Sequence, residues 1–248
     1  MRTNYHQEFY RTNAEISSAS ARSILAVLLR IYPAQSVLDV GCGIGTWGRA
    51  GLELGLKTYR GVDGDYVDRK QLLVDPAHFS AGDLCQPLVL GQKFDLALCM
   101  EVAEHLPAAT ATTLVRSLCA HAPVVLFSAA IPRQGGVDHV NEQWQSYWAG
   151  LFAEQGYEVY DCIRPRVWNR PEVAEYYKQN ALVYVDRQNA ALGERFHRDA
   201  TETRSILDLV HPSTYQIKSD PLRWPLGAIL RHLPAILARV IRNRVFSR

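Results

Sequence analysis

The sequence predicts an α/β protein with a seven-stranded, mostly parallel sheet that has helices on both faces. Two observations lead to this prediction. Short apolar runs alternate along the chain with segments of helical periodicity, and the first of these runs ends in a cluster of glycines. With 248 residues, 48% of them hydrophobic, the chain is also long enough to bury a large core.

The individual elements follow from local patterns. Residues 14–31 have apolar side chains at three- and four-residue steps and precede Pro33, which predicts a helix that ends there. Further helices are predicted at 46–55, 108–120 and 142–155. The apolar runs predict seven strands, at 36–40, 58–62, 79–83, 94–100, 123–128, 157–164 and 181–186.

Composition points to a reducing compartment. The five cysteines are an odd number and are scattered, which is a poor disulfide framework. No secretory signal is recognisable, and the longest apolar stretch near the end, 221–241, is interrupted by Arg223, Arg231, Pro234 and Arg239. We therefore expect a cytoplasmic protein.

Three segments are predicted: a domain at 1–187 with an N-terminal helical lid, a linker at 188–220, and a C-terminal helix at 221–248. The last segment has six arginines and no acidic residue, although the whole chain has a net charge of only +2. It predicts a basic amphipathic helix that contacts the inner face of a membrane peripherally. Packing on the body or on a second subunit is the alternative, and the oligomeric state stays open.

The glycine cluster follows the first predicted strand directly. Gly41, Cys42, Gly43 and Gly45 lead into the helix that begins near Thr46 and Trp47. Glycine allows a sharp turn and close contact between backbone and ligand, and the helix start offers amide donors. Turns collect glycine without any ligand, so the loop alone is weak support.

Acidic residues at the ends of the next strands strengthen the ligand hypothesis. Asp63 ends the second strand, 20 residues after Gly43, where a carboxylate can bind both hydroxyls of a ribose. Asp83 ends the third strand, where it can meet an adenine amino group.

Together these motifs resemble the class I S-adenosylmethionine-dependent methyltransferases. The resemblance covers 37–48, 61–63, 81–84 and 94–106, within roughly 14–187. It implies a Rossmann-like sheet whose last strand is antiparallel, and S-adenosylmethionine (SAM) as cofactor. By this resemblance Asp39, Gly41 and Gly43 approach the methionine part, Asp63 the ribose, and Asp83 with Leu84 the adenine. The implied cofactor-binding set is Asp39, Gly41, Cys42, Gly43, Gly45, Thr46, Trp47, Asp63, Gly64, Asp83, Leu84, Glu101 and Val102.

A second cluster of titratable residues follows the fourth strand. If the segment is helical, Glu101, Glu104 and His105 face one way, and His139 lies in the loop after the fifth strand. This set resembles the metal site of methyltransferases that modify the terminal ribose of small RNAs, which implies Mg²⁺ or Zn²⁺ on these four residues. In the metal-free alternative, Glu101 borders the cofactor and His139 is the general base.

The acceptor is expected to be a saccharide or another small molecule. The segment 164–170 is rich in arginine and aromatic groups that bind sugars, and the later motifs resemble a bacterial subgroup associated with glycan assembly. The sequence thus predicts an O-methyltransferase. The alternatives are a metal-dependent RNA ribose 2′-O-methyltransferase and a non-catalytic cofactor-binding module. Nucleic acid is disfavoured because the chain before residue 221 is net acidic.

Overall fold

The computed structural model describes residues 2–199 and 206–219, and, beyond these, 226–227, 230–231, 233–235 and 237–238; side chains are described from Glu15 onward. The predicted N-terminal lid side chains and most of the predicted C-terminal helix therefore lie outside the described residues. Among the described residues, no helix is long and apolar enough to cross a membrane.

A seven-stranded sheet forms the centre of the protein. The strands are β1 Ser36–Val40, β2 Thr58–Asp63, β3 Phe79–Ala81, β4 Leu96–Met100, β5 Val124–Ser128, β6 Tyr157–Tyr160 and β7 Leu182–Asp186. Their order is β3-β2-β1-β4-β5-β7-β6. The first five pair in parallel, and β7 runs antiparallel to both β5 and β6. The predicted Rossmann-like architecture is thus confirmed.

The helices of the body are α1 Arg2–Ile31, α2 Thr46–Glu53, α3 Ala111–His121, α4 Gln145–Glu154, α5 Arg164–Val167, α6 Glu175–Asn180 and α7 Ala190–Asp199. One apolar cluster packs α1, α2, α5, α6 and α7 against one face of the sheet. A second cluster packs α3 and α4 against the other face. The two layers of helices bury the strands on both faces, which explains why the strands are continuous apolar runs in the sequence.

Several strands are shorter than predicted, because polar groups near their ends bond elsewhere. The fourth starts at Leu96 because the Asp95 carboxylate accepts hydrogen bonds from the backbone N–H groups of Gln35 and Ser36, both at 2.8 Å. The sixth ends at Tyr160, and Arg164 begins a helix instead.

The first compact unit extends beyond the predicted boundary at residue 187 and ends at His211. Helix α7 belongs to it because Phe196 is fully buried and contacts the rings of Tyr32 and Tyr160. The second unit, Pro212–Arg248, begins with helix α8, Pro212–Ser219.

Candidate functional site

The glycine loop after β1 adopts a backbone conformation that L side chains rarely tolerate. Gly41, Gly43 and Gly45 have φ angles of 76°, 52° and 85°. A Cβ atom on Gly41 would lie 2.3 Å from a methyl group of Val102, at the end of β4. The loop therefore lies directly against the next strand end, and its backbone faces the carboxyl edge of the sheet, where open α/β folds bind their ligands.

Asp63, at the end of β2, ties this loop to the neighbouring strand. Its Oδ2 accepts a hydrogen bond from the Gly43 N–H at 2.6 Å, and its Oδ1 accepts from the Gly64 N–H at 2.6 Å. The hydroxyl of Tyr66 also donates to Oδ1, at 2.5 Å, from a highly exposed side chain. The carboxylate is thus fixed in orientation, and Tyr66, which no sequence motif indicates, is its only exposed partner among the bonds described.

A cleft of about 510 Å³ lies at the ends of β2 and β3. It is lined by Gly64, Asp65 and Tyr66, which follow Asp63, and by Asp83, Leu84 and Leu106. The residues predicted for the adenine therefore lie close to the chain that follows Asp63, while the Asp63 carboxylate itself is buried beside the cleft.

The other predicted cofactor residues around the loop are mostly buried or bonded inside the protein. Asp39 is 2% exposed, and its Oδ2 accepts a hydrogen bond from the Tyr59 hydroxyl at 3.3 Å. Burial is the main cause that raises the pKa of Asp39 to about 7. The Cys42 side chain is buried, Trp47 donates its indole N–H to the Tyr177 hydroxyl at 3.4 Å, and Thr46 begins α2. Contact between these side chains and a cofactor stays a prediction.

The Glu101–His105 segment does not form the α-helix on which the predicted convergence depended. Glu101 has a φ of 54° and is held by its N–H donating to the Ser128 carbonyl at 2.9 Å. Only Ala103–His105 form a single 3₁₀ turn. The carboxylate of Glu101 turns toward the chain before β7, where it accepts from Asn180 Nδ2 at 3.2 Å and from Gln134 Nε2 at 2.9 Å.

Glu104 is the most deeply buried acid of the site, at 1% exposure. Neither carboxyl oxygen has an N–H or hydroxyl partner among the described residues, and the neighbouring group is the Glu101 carboxylate. Burial, and then the charge of Glu101, raise the pKa of Glu104 to about 10. Both effects favour the protonated form of Glu104 in the folded protein, and a protonated carboxyl can donate a hydrogen bond to Glu101.

This buried acid predicts a pH-dependent loss of stability. The unfolded chain releases the Glu104 proton near pH 4.5, whereas the folded protein keeps it up to about pH 10, so stability falls as pH rises through this range. We expect Glu104→Gln, which can still donate to Glu101, to raise the free energy of unfolding by about 1–3 kcal/mol at pH 8 and to flatten its pH dependence.

Denaturant unfolding between pH 5 and pH 9 measures this effect. Glu154→Gln, at the exposed end of α4, is the matched control and should leave the slope unchanged. If the free energy of unfolding had the same dependence on pH in the wild type and in Glu104→Gln, Glu104 would be ionised in the folded protein.

The loop between β5 and α4 docks on the 3₁₀ turn and positions His139. The N–H groups of Val140 and Asn141 both donate to the Glu104 carbonyl, at 2.8 and 3.0 Å. The rings of His105 and His139 meet edge to face with centroids 4.9 Å apart. The His105 ring is also hydrogen-bonded to the Asp138 backbone, and burial, followed by the neighbouring His139, lowers the pKa of His105.

Glu142 orients the His139 ring. Its Oε1 lies 3.0 Å from Nδ1 of His139, and the carboxylate also accepts the N–H groups of Arg133 and Gly135, both at 2.7 Å. Burial opposes ionisation, but these hydrogen bonds hold the pKa of Glu142 below its ordinary value. A carboxylate on Nδ1 favours the tautomer in which Nε2 has the free lone pair. The i, i+3 spacing of His139 and Glu142 was the available sequence signal for this pair.

Glycine is required at position 136 because its backbone lies against the His139 ring, whose side chain is 12% exposed. A Cβ atom there would lie 2.1 Å from Nε2 of that ring. Three non-glycine residues of the described chain have positive φ, namely Glu101, Arg133 and Asp138, and all lie in the two segments that build this site. Such strained conformations concentrate at functional sites.

Three of the four predicted metal ligands come together. Glu104, His105 and His139 each offer one ligand atom, and these atoms lie within 4.8 Å of one another. Glu101 stands outside this group because Asn180 and Gln134 hold its carboxylate. One carboxyl group and two imidazoles form a donor set that fits a divalent cation, which would take the place of the Glu104 proton.

The arginines expected to bind a sugar are used inside the protein instead. Arg164 is buried, pairs with Asp161 at 2.8 Å and donates to the Leu207 carbonyl at 2.7 Å. Arg166 pairs with Asp199 at 2.9 Å. The prediction that these two side chains face the acceptor is therefore wrong, because they hold α7 and the chain around residue 207 on the body.

Comparison with known proteins gives one family match. A family model described as a methyltransferase domain matches residues 9–168. No curated protein matches the chain.

Solved structures share the fold at low sequence identity. The sugar N-methyltransferase KedS8 from Streptoalloteichus sp ATCC 53650 is 17% identical with a TM-score of 0.56, and the match covers 73% of this chain and 92% of that one. Streptomyces venezuelae DesVI is 18% identical with a TM-score of 0.54, and the match covers 75% of this chain and 98% of that one. The magnesium protoporphyrin IX methyltransferase of Synechocystis PCC 6803, solved with bound SAH, is 16% identical with a TM-score of 0.51. This match covers 72% of this chain and 87% of that one.

Proposed function

The chain belongs to the methyltransferase domain family, and on that premise we propose that it transfers a methyl group from SAM to a hydroxyl group of a sugar, a glycan or a related small molecule. One observation supports this proposal above the others. The carboxylate of Asp63 is fixed beside a cleft that is lined by the residues directly after it, Gly64 and Tyr66, and the oriented imidazole of His139 lies in the loop after β5, which ends at the same sheet edge.

The residues around the cleft fit the cofactor. In this proposal Asp63 binds the ribose hydroxyls, Asp83 and Leu84 in the cleft bind the adenine, and the backbone of the glycine loop binds the methionine part. Val102, just after β4, borders the loop at Gly41. When bound, SAM supplies a methyl group on a positively charged sulfur, which is a strong methyl donor, so the protein's main task is to align the acceptor and to exclude water.

His139 is the general base in this proposal. A sugar hydroxyl must lose its proton during transfer, and Nε2 of His139 has the lone pair that accepts it, while Glu142 stabilises the imidazolium that forms. The name of the related sugar N-methyltransferase supports a saccharide acceptor. We favour oxygen over nitrogen as the methylated atom because an amine in its free-base form needs no such base.

A divalent cation held by Glu104, His105 and His139 is the second candidate for the same task. A Mg²⁺ or Zn²⁺ ion there would lower the pKa of a bound hydroxyl. An RNA ribose would also suit such a site, but residues 1–220 are net acidic, and the six arginines of 221–248 lie outside the matched range 9–168. The third alternative, a non-catalytic binding module, does not explain why Glu142 orients the His139 ring.

The C-terminal segment supports a peripheral membrane contact of a cytoplasmic enzyme. Its described residues are helical, and the leucines at 226, 230, 233 and 237 are exposed. Arginines and no acidic residues accompany them in the sequence, a composition that suits an anionic lipid surface.

Calorimetry with SAM and SAH, followed by mass spectrometry of saccharide acceptors incubated with SAM, tests the proposal. We expect binding of both compounds and a gain of one methyl group on an acceptor oxygen. Dialysis against a chelator separates the two mechanisms: the general-base mechanism predicts unchanged turnover, and the metal mechanism predicts loss that added Mg²⁺ or Zn²⁺ restores. Absence of SAM and SAH binding would refute the enzyme assignment.

A further inference from the structure

The carboxylate of Asp63 is almost completely covered, although the proposed function needs it to bind a ribose. Asp63 is 4% exposed, and the described lining of the adjacent cleft begins only at the next residue, Gly64, and continues with Tyr66. A group that lies between the cleft and the carboxylate must therefore move before the hydroxyls of a sugar can reach it.

The hydrogen bonds of Asp63 show which of its acceptor sites are occupied. A carboxylate has about four lone pairs, two on each oxygen. Oδ1 accepts from the Gly64 N–H at 2.6 Å and from the Tyr66 hydroxyl at 2.5 Å, and Oδ2 accepts from the Gly43 N–H at 2.6 Å. Both lone pairs of Oδ1 are thus in use, and one remains on Oδ2. Because the two hydroxyls of a ribose need two acceptor sites, one of the three donors has to leave.

Tyr66 is the donor that can leave. The other two donors are backbone N–H groups, one in the glycine loop and one directly after β2, whereas the Tyr66 side chain is 84% exposed and can turn without disturbing the core. The ring lies directly against Gly64, where a Cβ atom would stand 2.1 Å from ring atom Cε1. Glycine at position 64 therefore lets the ring fold back over the carboxylate.

The hydroxyl of Tyr66 is a donor at neutral pH. Its burial, followed by the hydrogen bond to Asp63, raises the pKa of Tyr66 to about 12, so the group keeps its proton. It therefore makes the same kind of bond to the carboxylate as a ribose hydroxyl would make.

We infer that Tyr66 is a gate on the cofactor site: its hydroxyl occupies the ribose position on Oδ1 of Asp63 and leaves that oxygen when a ribonucleoside with both ribose hydroxyls binds. This inference rests on the proposed function and adds a residue that sets the affinity for the cofactor and for its product. Each binding event exchanges the hydrogen bond of Tyr66 for one made by the ribose, so Tyr66 lowers the affinity for SAM and SAH. The same hydroxyl binds Oδ1 again as SAH leaves, which favours release of the product.

Calorimetric titration of the full-length protein with SAH tests the inference. Tyr66→Phe keeps the ring but removes the hydroxyl, so no protein group has to be displaced from Oδ1. We expect the variant to bind SAH about 3–10-fold more tightly, which corresponds to the net strength of one hydrogen bond. A purely structural role predicts the opposite sign, because loss of a donor that orients Asp63 would weaken binding.

The 2′-deoxyribose analogue of SAH is the second probe. It has one ribose hydroxyl, for which the remaining lone pair of Oδ2 is sufficient, so its affinity should be the same in the wild type and in Tyr66→Phe. Tyr147→Phe is the matched control, since this half-buried tyrosine lies in α4, outside the described lining of the cleft. The control should bind both compounds as the wild type does.

The outcomes separate the gate from the proposed function. Binding of SAH by Tyr66→Phe that is equal to or weaker than that of the wild type would overturn the inference and leave the proposed function intact. An equal gain for SAH and its deoxy analogue, or the same gain in the Tyr147 control, would also overturn the inference. Absence of SAH binding to the wild-type protein would instead refute the proposed function, and the inference with it.

Discussion

Replacing His139 by alanine is expected to lower the turnover number for methyl transfer by about 10²–10⁴-fold, the range attributed to a general base. The affinity for SAM should stay within about twofold, because His139 contacts His105 and Glu142 and lies outside the cleft formed by Gly64, Tyr66, Asp83 and Leu84. Turnover is measured with an acceptor that the wild-type protein methylates. The affinity for SAH is measured by calorimetry.

Glu142→Gln distinguishes orientation from proton transfer. The amide keeps a hydrogen-bonding group near Nδ1 but lacks the charge that stabilises the imidazolium, so we expect a smaller loss of turnover and a shifted pH profile. His78→Ala, at an exposed histidine before β3, is the control for loss of an imidazole. Full turnover in the His139 variant would remove this residue from the mechanism.

Replacing Asp63 by asparagine is expected to weaken SAM and SAH binding by about 100-fold. The carboxylate accepts from two backbone N–H groups and is the predicted acceptor for the ribose hydroxyls; hydrogen bonds to a charged group are worth about 1.5–3 kcal/mol each. In Asp63→Asn, a donor NH₂ group replaces one of the two oxygens and faces a backbone N–H, so the glycine loop loses an anchor as well.

Calorimetric titration with SAH measures this loss. Asp75→Asn provides the control, because the exposed Asp75 lies outside the cleft lining and asparagine can still accept the hydrogen bond from the Ala77 N–H at 2.9 Å. It should bind SAH as the wild type does. If both variants bound equally well, the ribose would have to lie elsewhere.

The sequence predicted the sheet because each strand is buried on both sides and therefore apolar throughout. It predicted the cleft because Gly43, Asp63 and Asp83 each stand at the end of a strand, where topology alone brings them together. It predicted the meeting of His105 and His139 for the same reason.

The rest depended on contacts that no local pattern contains. The spacing of Glu101, Glu104 and His105 suggested one helical face, but the positive φ of Glu101 and its bonds to Asn180 and Gln134 keep it outside the group of possible metal ligands, although it stays next to Glu104. The arginine at 164 suggested sugar binding, yet its partners lie at Asp161 and Leu207. Only the assembled protein shows that these charges are neutralised internally.

The antiparallel direction of β7 determines which residues of the chain reach the edge of the sheet where the parallel strands end. An antiparallel strand begins where its parallel neighbours end, so the residues just before it, Gln179 and Asn180, arrive at the reactive edge and bind Gln134 and Glu101. These residues lie beyond position 168, where the family match stops. The matched range therefore includes Glu101 and Gln134 but not the two residues that bind them. Under the proposed function, we expect exchange of the residues around 179–180 between relatives to change acceptor choice, because these residues reach the same sheet edge as the cleft.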